Sequence, residues 1–393
     1  MVSTPDPVTT PVPAPRAARQ PTAAPSALVD VEDVRAEVDR LLAAHVEDLR
    51  AELAAVGDDA ERLVGAVETM LSGGKRLRAA FCWWSWRAHG GRPGTAEAAT
   101  VLRVGAALEL FQAAALFHDD VMDDSDTRRG HPAAHRAFAA AHAELGLQGD
   151  AEQFGASAAI LLGDLALVAS EREFAAALAT APPDRARRVR DVFDLMRTEV
   201  TVGQYLDVLA QSQPWGADPE SDEQRARRVI RAKSARYSVE HPLALGATLA
   251  DASEPDLVAV RAFGLPLGEA FQLRDDVLGV FGDPQRTGKP AGDDLREGKR
   301  TVLVARAVRR AREHGAIATV DLLRTRLGDR TLSDDDVRAI AEAIRATGAV
   351  DEVEQLIDEL FTDASRLLAA RPWPEPAAGV LGQLAHAAVE RRA

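Results

Sequence analysis

The sequence predicts an all-α protein, one helical bundle around a central cavity. Ala, Leu, Arg, Glu and Asp dominate its 393 residues, while β-branched runs and regular hairpin turns are few. Apolar residues recur at helical spacing from Val29 almost to the end. Two aspartate clusters each follow apolar residues at that same spacing, which places both on helices facing shared space.

The balance is globular, with 46% hydrophobic and 27% charged residues. No composition shift marks a second folded domain, so residues 28–393 are expected to form one domain. The net charge of −14 argues against a nucleic-acid binder. The single cysteine, Cys82, leaves no intrachain disulfide and fits a reducing cytoplasm. No run of 18 or more apolar residues suggests a transmembrane helix, and no basic region leads into an apolar core as in a secretory signal.

Residues 1–27 carry Pro5, Pro7, Pro11, Pro13, Pro15, Pro21 and Pro25 among Ala and Thr, the composition of a disordered, extended tail. Two readings stand for it: a neutral extension, or a docking tag such as one that loads cargo into a protein shell. Val31, Val34, Val38, Leu41, Leu42, Val46 and Leu49 then form the first apolar stripe. Breaks follow at Gly57-Asp58-Asp59, Ser72-Gly73-Gly74, Gly90 to Pro93, Pro182-Pro183-Asp184, Gln213 to Pro219, and Gly282 to Gly298. Ser333, with Asp334, Asp335 and Asp336 behind it, reads as a helix cap.

The chemistry-bearing segments come in order. Gly73-Gly74-Lys75-Arg76-Leu77-Arg78 opens a loop onto a helix start rich in cations, which attracts anions. Lys75 and Arg78, three apart, would share a face. The apolar helix through Phe111, Ala114 and Ala115 ends in His118-Asp119-Asp120-Val121-Met122-Asp123-Asp124. Asp119 and Asp123 share a face, and Asp120 and Asp124 form a neighbouring pair. Such crowding of carboxylates calls for cations. Arg128 and Arg129 follow, either as forks for phosphate oxygens or as partners in a salt bridge back to Asp124 or Asp126.

Gly203-Gln204 and Asp207 interrupt an apolar helix, as a site or as a satisfied core polar group. Lys233-Ser234 lies in a helical stretch, where a buried lysine needs an anionic partner. The second cluster is Gln272-Leu273-Arg274-Asp275-Asp276, followed by the loop holding Lys289, Asp294 and Lys299. Two clusters that converge on one cavity suit Mg²⁺ held between protein carboxylates and substrate phosphates.

In this order the motifs resemble the trans-isoprenyl diphosphate synthases, the polyprenyl synthetase family that includes farnesyl and geranylgeranyl diphosphate synthases. The resemblance spans roughly residues 30–390 and implies the all-α isoprenoid synthase fold. It implies three Mg²⁺ ions, on Asp119, Asp123 and Asp275. Arg128, Lys233, Lys289 and Lys299 would hold the diphosphate of an allylic substrate, whether dimethylallyl, geranyl or farnesyl diphosphate. Lys75, Arg78 and Arg129 would hold isopentenyl diphosphate. Gln112, Asp120, Gln204 and Asp207 would line the site, with Ser234, Gln272 and Asp276. A homodimer is implied as well.

One departure stands out, because the family's second motif usually ends in a third aspartate and here that position is Gly279. The resemblance also implies that product length is set along the helix below Asp119. Phe111, Ala115, Asp119 and Asp123 form one stripe at four-residue spacing. Ala114 and Ala115 leave room, and Phe111, about 12 Å down at 1.5 Å per residue, is either a floor or core packing. The expected product has twenty carbons, with a longer chain as the alternative. A class I terpene cyclase would carry a late Asn/Asp-Ser/Thr-Glu triad in place of the second Asp pair, and a non-catalytic subunit would have lost a motif.

Overall fold

The computed structural model describes residues 31–216, 218–283 and 292–390, apart from the side chains of Asp58 and Pro219. The expectations for the tail at 1–27 and for Lys289 fall outside the described residues. The described chain is all-α except for one two-residue hairpin. Its helices are α1 (Val34–Ala54), α2 (Glu61–Leu71), α3 (Leu77–Ala88), α4 (Ala96–Met122), α5 (Ala134–Glu144), α6 (Ala151–Leu178), α7 (Pro183–Ser212) and α8 (Pro219–Val229). A π-helical segment, Ile230–Glu240, runs on from α8 into α9 (His241–Leu249). Then come α10 (Glu254–Phe281), α11 (Asp293–Glu297), α12 (Val302–Glu313), α13 (Ile317–Arg326), α14 (Asp334–Ala346), α15 (Ala349–Ala369) and α16 (Ala377–Val389).

The helix ends follow their punctuation. Thr95, Asp150, Ser253 and Thr301 each accept a backbone N–H in the first turn of α4, α6, α10 and α12. Ser333 and Asp336 close a reciprocal capping box on α14, as the sequence suggests. The apolar stripe of α1 (Val34, Val38, Leu42, Val46 and Leu49) is buried. One core lies around α3, α7, α9, α10 and α15. A second joins α1, α2, α4 and α6.

Three local features depart from the sequence reading. The loop at 124–136 contains a hairpin of β1 (Thr127–Arg128) and β2 (His131–Pro132). The stretch around Lys233 is π-helical, which displaces its side chains from α-helical register. The second loop ends in the one-turn helix α11. Two helices, α4 and α6, are long and apolar enough to cross a membrane by length and composition alone. Of these, α4 has 67% of its apolar window buried inside the fold, so packing accounts for it. α6 has 44% buried and keeps one apolar face outward.

Candidate functional site

One cavity of about 1970 Å³ takes lining residues from Arg62 to Glu390, almost the whole described chain. It brings together Lys75, Arg78, Gln112, Ala115, Asp119, Arg128 and Arg129 with Gln204, Asp207, Lys233 and Ser234. The second cluster joins them through Gln272, Asp275, Asp276 and Lys299.

The first acidic cluster is not a continuous helical face. α4 stops at Met122, Asp123 is its C-cap, and Asp124 turns away at φ 53°. The expected pairing of Asp120 with Asp124 along a helix is therefore corrected. Each acid has its own cation instead. Lys233 Nζ donates to Asp119 Oδ1 at 2.9 Å and to Asp207 Oδ2 at 2.6 Å. Arg128 Nε donates to Asp120 Oδ1 at 2.8 Å. Lys299 Nζ lies 3.1 Å from Asp123 Oδ2. Arg136 donates to Asp124 Oδ1 at 2.8 Å and to Asp126 Oδ1 at 3.0 Å. The alternative salt bridge from Arg128 or Arg129 to Asp124 or Asp126 thus belongs to Arg136, while Arg128 turns inward to Asp120.

Backbone packing makes the Lys233 bridge possible. A Cβ on Gly203 would lie 2.4 Å from the backbone nitrogen of Lys233, so α7 and the π-helical segment meet where only glycine fits. Asp207, one turn further along α7, then reaches the ammonium group.

The electrostatics follow from this pairing. Burial alone would raise the Asp119 carboxyl, but Lys233, Lys299 and Arg128 outweigh it and hold it well below the usual carboxylate range. Burial raises Asp123, and the neighbouring Asp119 adds to that rise. Burial pushes Asp276 up to about 8 against a hydrogen bond from Gln272, with Asp294 and Asp275 adding to the rise. Burial lowers Arg129, which also faces Arg76, Arg128 and Arg78.

The cations of the first motif are sorted by burial. α3 begins only at Leu77, so Lys75 and Arg76 precede it rather than sharing a helical face with Arg78. Arg76 is buried and paired with Asp39 at 2.7 Å and Glu109 at 3.3 Å, which makes it a structural cation. Arg78 lies over the Tyr237 ring and donates to Gln112 Oε1 at 2.6 Å and Ser238 Oγ at 3.0 Å. Arg129 donates to the carbonyls of Met70 and Ser72. These acceptors are all neutral, so both guanidiniums keep their charge for an anion entering the cavity.

Of the proposed floor, Ala115 lines the cavity, whereas Phe111 and Ala114 do not. Ala114 packs in the core of α1, α2, α4 and α6. Phe111 stands behind the wall, edge-to-face with Tyr237 at 5.5 Å and with Phe193 at 6.5 Å. Several functional neighbours carried no signal in the sequence. Glu297 accepts from Ser125 at 2.8 Å and pairs with Lys299 at 2.7 Å, tying the first cluster to the second loop. Arg330 donates to the backbone carbonyls of Asp123 and Asp124, capping the end of α4.

The donor set fits Mg²⁺. Asp123 is 1% exposed, and the Lys299 ammonium meets its Oδ2 at 3.1 Å while Oδ1 is left without a hydrogen-bond partner. Among the described residues, no group of three His, Cys, Asp or Glu could hold an ion alone. Oxygens from a bound anion would have to complete the shell, as Mg²⁺ commonly requires.

Comparison with known proteins agrees. The sequence model of the polyprenyl synthetase family matches residues 60–344. A geranylfarnesyl diphosphate synthase of Aeropyrum pernix is 32% identical over 301 residues, 75% of this chain and 83% of that one. A geranylgeranyl diphosphate synthase of Mycobacterium tuberculosis is 31% identical over 337 residues, 84% of this chain and 85% of that one. A solved geranylgeranyl pyrophosphate synthase from Corynebacterium glutamicum, complexed with isoprenyl diphosphate and magnesium, is 38% identical. It superposes with a TM-score of 0.85 over 94% of this chain and all of that one. The matched span takes in both aspartate clusters, and the chain belongs to the polyprenyl synthetase family.

Proposed function

We propose that the protein condenses isopentenyl diphosphate with an allylic diphosphate to give geranylgeranyl diphosphate. The observation that carries this reading is the division of charge in one cavity. Arg78 and Arg129 bond neutral acceptors, while Arg128, Lys233 and Lys299 sit among the aspartates. One cavity thus offers two places for a diphosphate.

Asp119, Asp123 and Asp275 would hold three Mg²⁺ ions. When bound, Mg²⁺ supplies positive charge that stabilises the allylic diphosphate as its C–O bond breaks. Arg128 and Lys233 hold the same leaving group, and these fixed cations act most strongly when its charge is greatest. Arg78, Arg129 and Lys75 hold isopentenyl diphosphate so that its double bond meets the allylic carbon. A C–C bond forms, and a proton passes to the released pyrophosphate. The apolar wall, with Phe81, Leu77, Phe117 and Tyr237, excludes water that would trap the cation.

The growing chain runs down α4 past Ala115 towards the layer where Phe111 backs Tyr237 and Phe193 stacks on Phe174 at 3.8 Å. Product analysis tests this. Protein, Mg²⁺ and isopentenyl diphosphate are combined with dimethylallyl, geranyl or farnesyl diphosphate, and the dephosphorylated alcohols are sized. A linear twenty-carbon alcohol is expected. Phe111→Ala is expected to lengthen it while costing about 3–5 kcal/mol of stability. An unchanged product from folded Phe111→Ala would remove Phe111 from the floor, and cyclic hydrocarbons formed without isopentenyl diphosphate would overturn the synthase reading.

A homodimer is the assembly this surface supports. Phe154, Leu161 and Val168 recur every seven residues on α6, Leu195 and Val202 on α7, and all are exposed. Leu161→Arg with Val202→Arg should convert a sedimenting dimer to a monomer. A wild-type monomer at micromolar concentration would refute the dimer. We place the protein in the cytoplasm, in keeping with its single, buried, free thiol at Cys82.

A further inference from the structure

We propose that Glu199 is a positioning residue for Lys233, anchoring the π-helical segment that carries this lysine to Asp119. The inference rests on the synthase reading above, which gives Lys233 the diphosphate of the allylic substrate. Glu199 itself is not among the residues that line the cavity.

The segment needs support from outside. It keeps π-helical form over eleven residues, Ile230–Glu240, whereas such helices are mostly single turns. Glycines on two helices admit its backbone. On α7, a Cβ at Gly203 would meet the backbone of Lys233. On α10, a Cβ at Gly264 would lie 2.8 Å from Glu240 Cα, and one at Gly268 would overlap the Ala235 carbonyl. These are backbone atoms, which cannot swing aside as the end of a side chain can. Close contact thus fixes how near the segment lies to its neighbours.

Charge fixes where it lies along α7. Glu199, Gly203 and Asp207 follow at four-residue spacing, on one face of that helix. At one end of this face, Asp207 accepts from Lys233 at 2.6 Å. At the other, Glu199 holds two groups at once. His241 Nε2 donates to Glu199 Oε2 at 2.7 Å, and Arg236 Nη1 donates to Glu199 Oε1. His241 is 1% exposed, so its bond is shielded from water. The hydrogen bond from His241, helped by Arg236, keeps the Glu199 carboxyl below the usual range against the effect of burial. The glycine contact therefore sits between two ties of opposite charge.

The lysine depends on both ties. Lys233 Nζ meets Asp119 at 2.9 Å and Asp207 at 2.6 Å, and an ammonium shared by two carboxylates tolerates little sliding. Without Glu199, Arg236 and His241 lose their hold on α7, and the segment can shift along the glycine contact with Lys233 on it. A misplacement of about 1 Å caused far from the chemistry can cost about 10²-fold in rate. The same segment brings Ser238 and Tyr237 to Arg78, so turnover must be read at saturating isopentenyl diphosphate.

A double-mutant cycle tests this. Wild type, Glu199→Ala, Lys233→Met and the double variant are compared for kcat at saturating Mg²⁺ and both substrates, at a temperature where circular dichroism shows all four folded. Lys233→Met should lower kcat by about 10²-fold. Glu199→Ala should lower it by about tenfold in the wild-type background and by less than about twofold beside Lys233→Met, because it acts through the lysine. A residue that only supports the fold would cost the same factor in both backgrounds. If Glu199→Ala does not fold, Glu199→Gln takes its place, keeping the length and losing the charge. Its loss of about threefold should likewise vanish beside Lys233→Met.

Equal losses in the two backgrounds, or no loss in the folded variant, overturn the inference and leave the synthase reading intact. Wild-type protein that joins isopentenyl diphosphate to no allylic diphosphate sinks both.

Discussion

Asp119→Asn is expected to lower kcat by about 10³-fold at saturating Mg²⁺ and substrates, the scale of losing one preorganised charge at a reacting centre. The substitution preserves shape and removes only the charge. In the folded protein that charge is secure at neutral pH, because Lys233, Lys299 and Arg128 overcome the effect of burial on the carboxyl. The rest of the site should stand. Lys233 keeps Asp207 at 2.6 Å and Arg128 keeps Asp120 at 2.8 Å, so neither cation is stranded. Loss of turnover with little loss of stability is the expected pattern. A variant within tenfold of wild-type kcat would show that Asp119 is not a metal ligand.

Lys299→Met should have the opposite emphasis. Lys299 lies within ion-pair distance of Asp123, Asp294 and Glu297, and it is the shared counter-ion of a buried acidic group. Removing one partner of a buried pair strands the others, which costs about 3–5 kcal/mol. Denaturant unfolding in a chelator should show that loss, and Mg²⁺ with pyrophosphate should recover part of it by supplying positive charge to Asp123. A loss below about 1 kcal/mol, the range of exposed pairs, would refute the buried network.

The pH dependence of this gap has a definite sign. Burial lowers the Lys299 ammonium, but Asp294, Glu297 and Asp123 outweigh it and set its pKa well above the ordinary 10.5. A cation whose pKa rises on folding contributes fully below its unfolded value and loses that contribution as pH rises through the folded one. The gap between wild type and Lys299→Met should therefore persist unchanged across neutral pH.

Much of the site was legible because it is written in short segments. Asp119, Asp275, Arg128 and Lys233 are each marked by residue type against an apolar background, and all four line the cavity. Arg76 and Arg78 show where this stops. They stand two apart in one cationic motif, yet Arg76 is buried against Glu109 while Arg78 faces the cavity. Periodicity cannot separate them, since Arg76 sits at a helix N-cap with left-handed backbone. Asp123 and Asp124 part in the same way at the end of α4. Glu297 was silent, because an acid gains meaning here only from Ser125 and Lys299, and Ser125 is remote in sequence.

The sequence by itself determined the helical class, the caps and breaks, and the residue types that handle diphosphate and metal. Those follow from local spacing, backbone preference and side-chain chemistry. Only the tertiary structure decided which cation answers which acid, and that Phe111 stands behind Tyr237. Charge pairing and close packing depend on distances between segments far apart along the chain. Packing of α4, α7, α10 and the π-helical segment sets those distances.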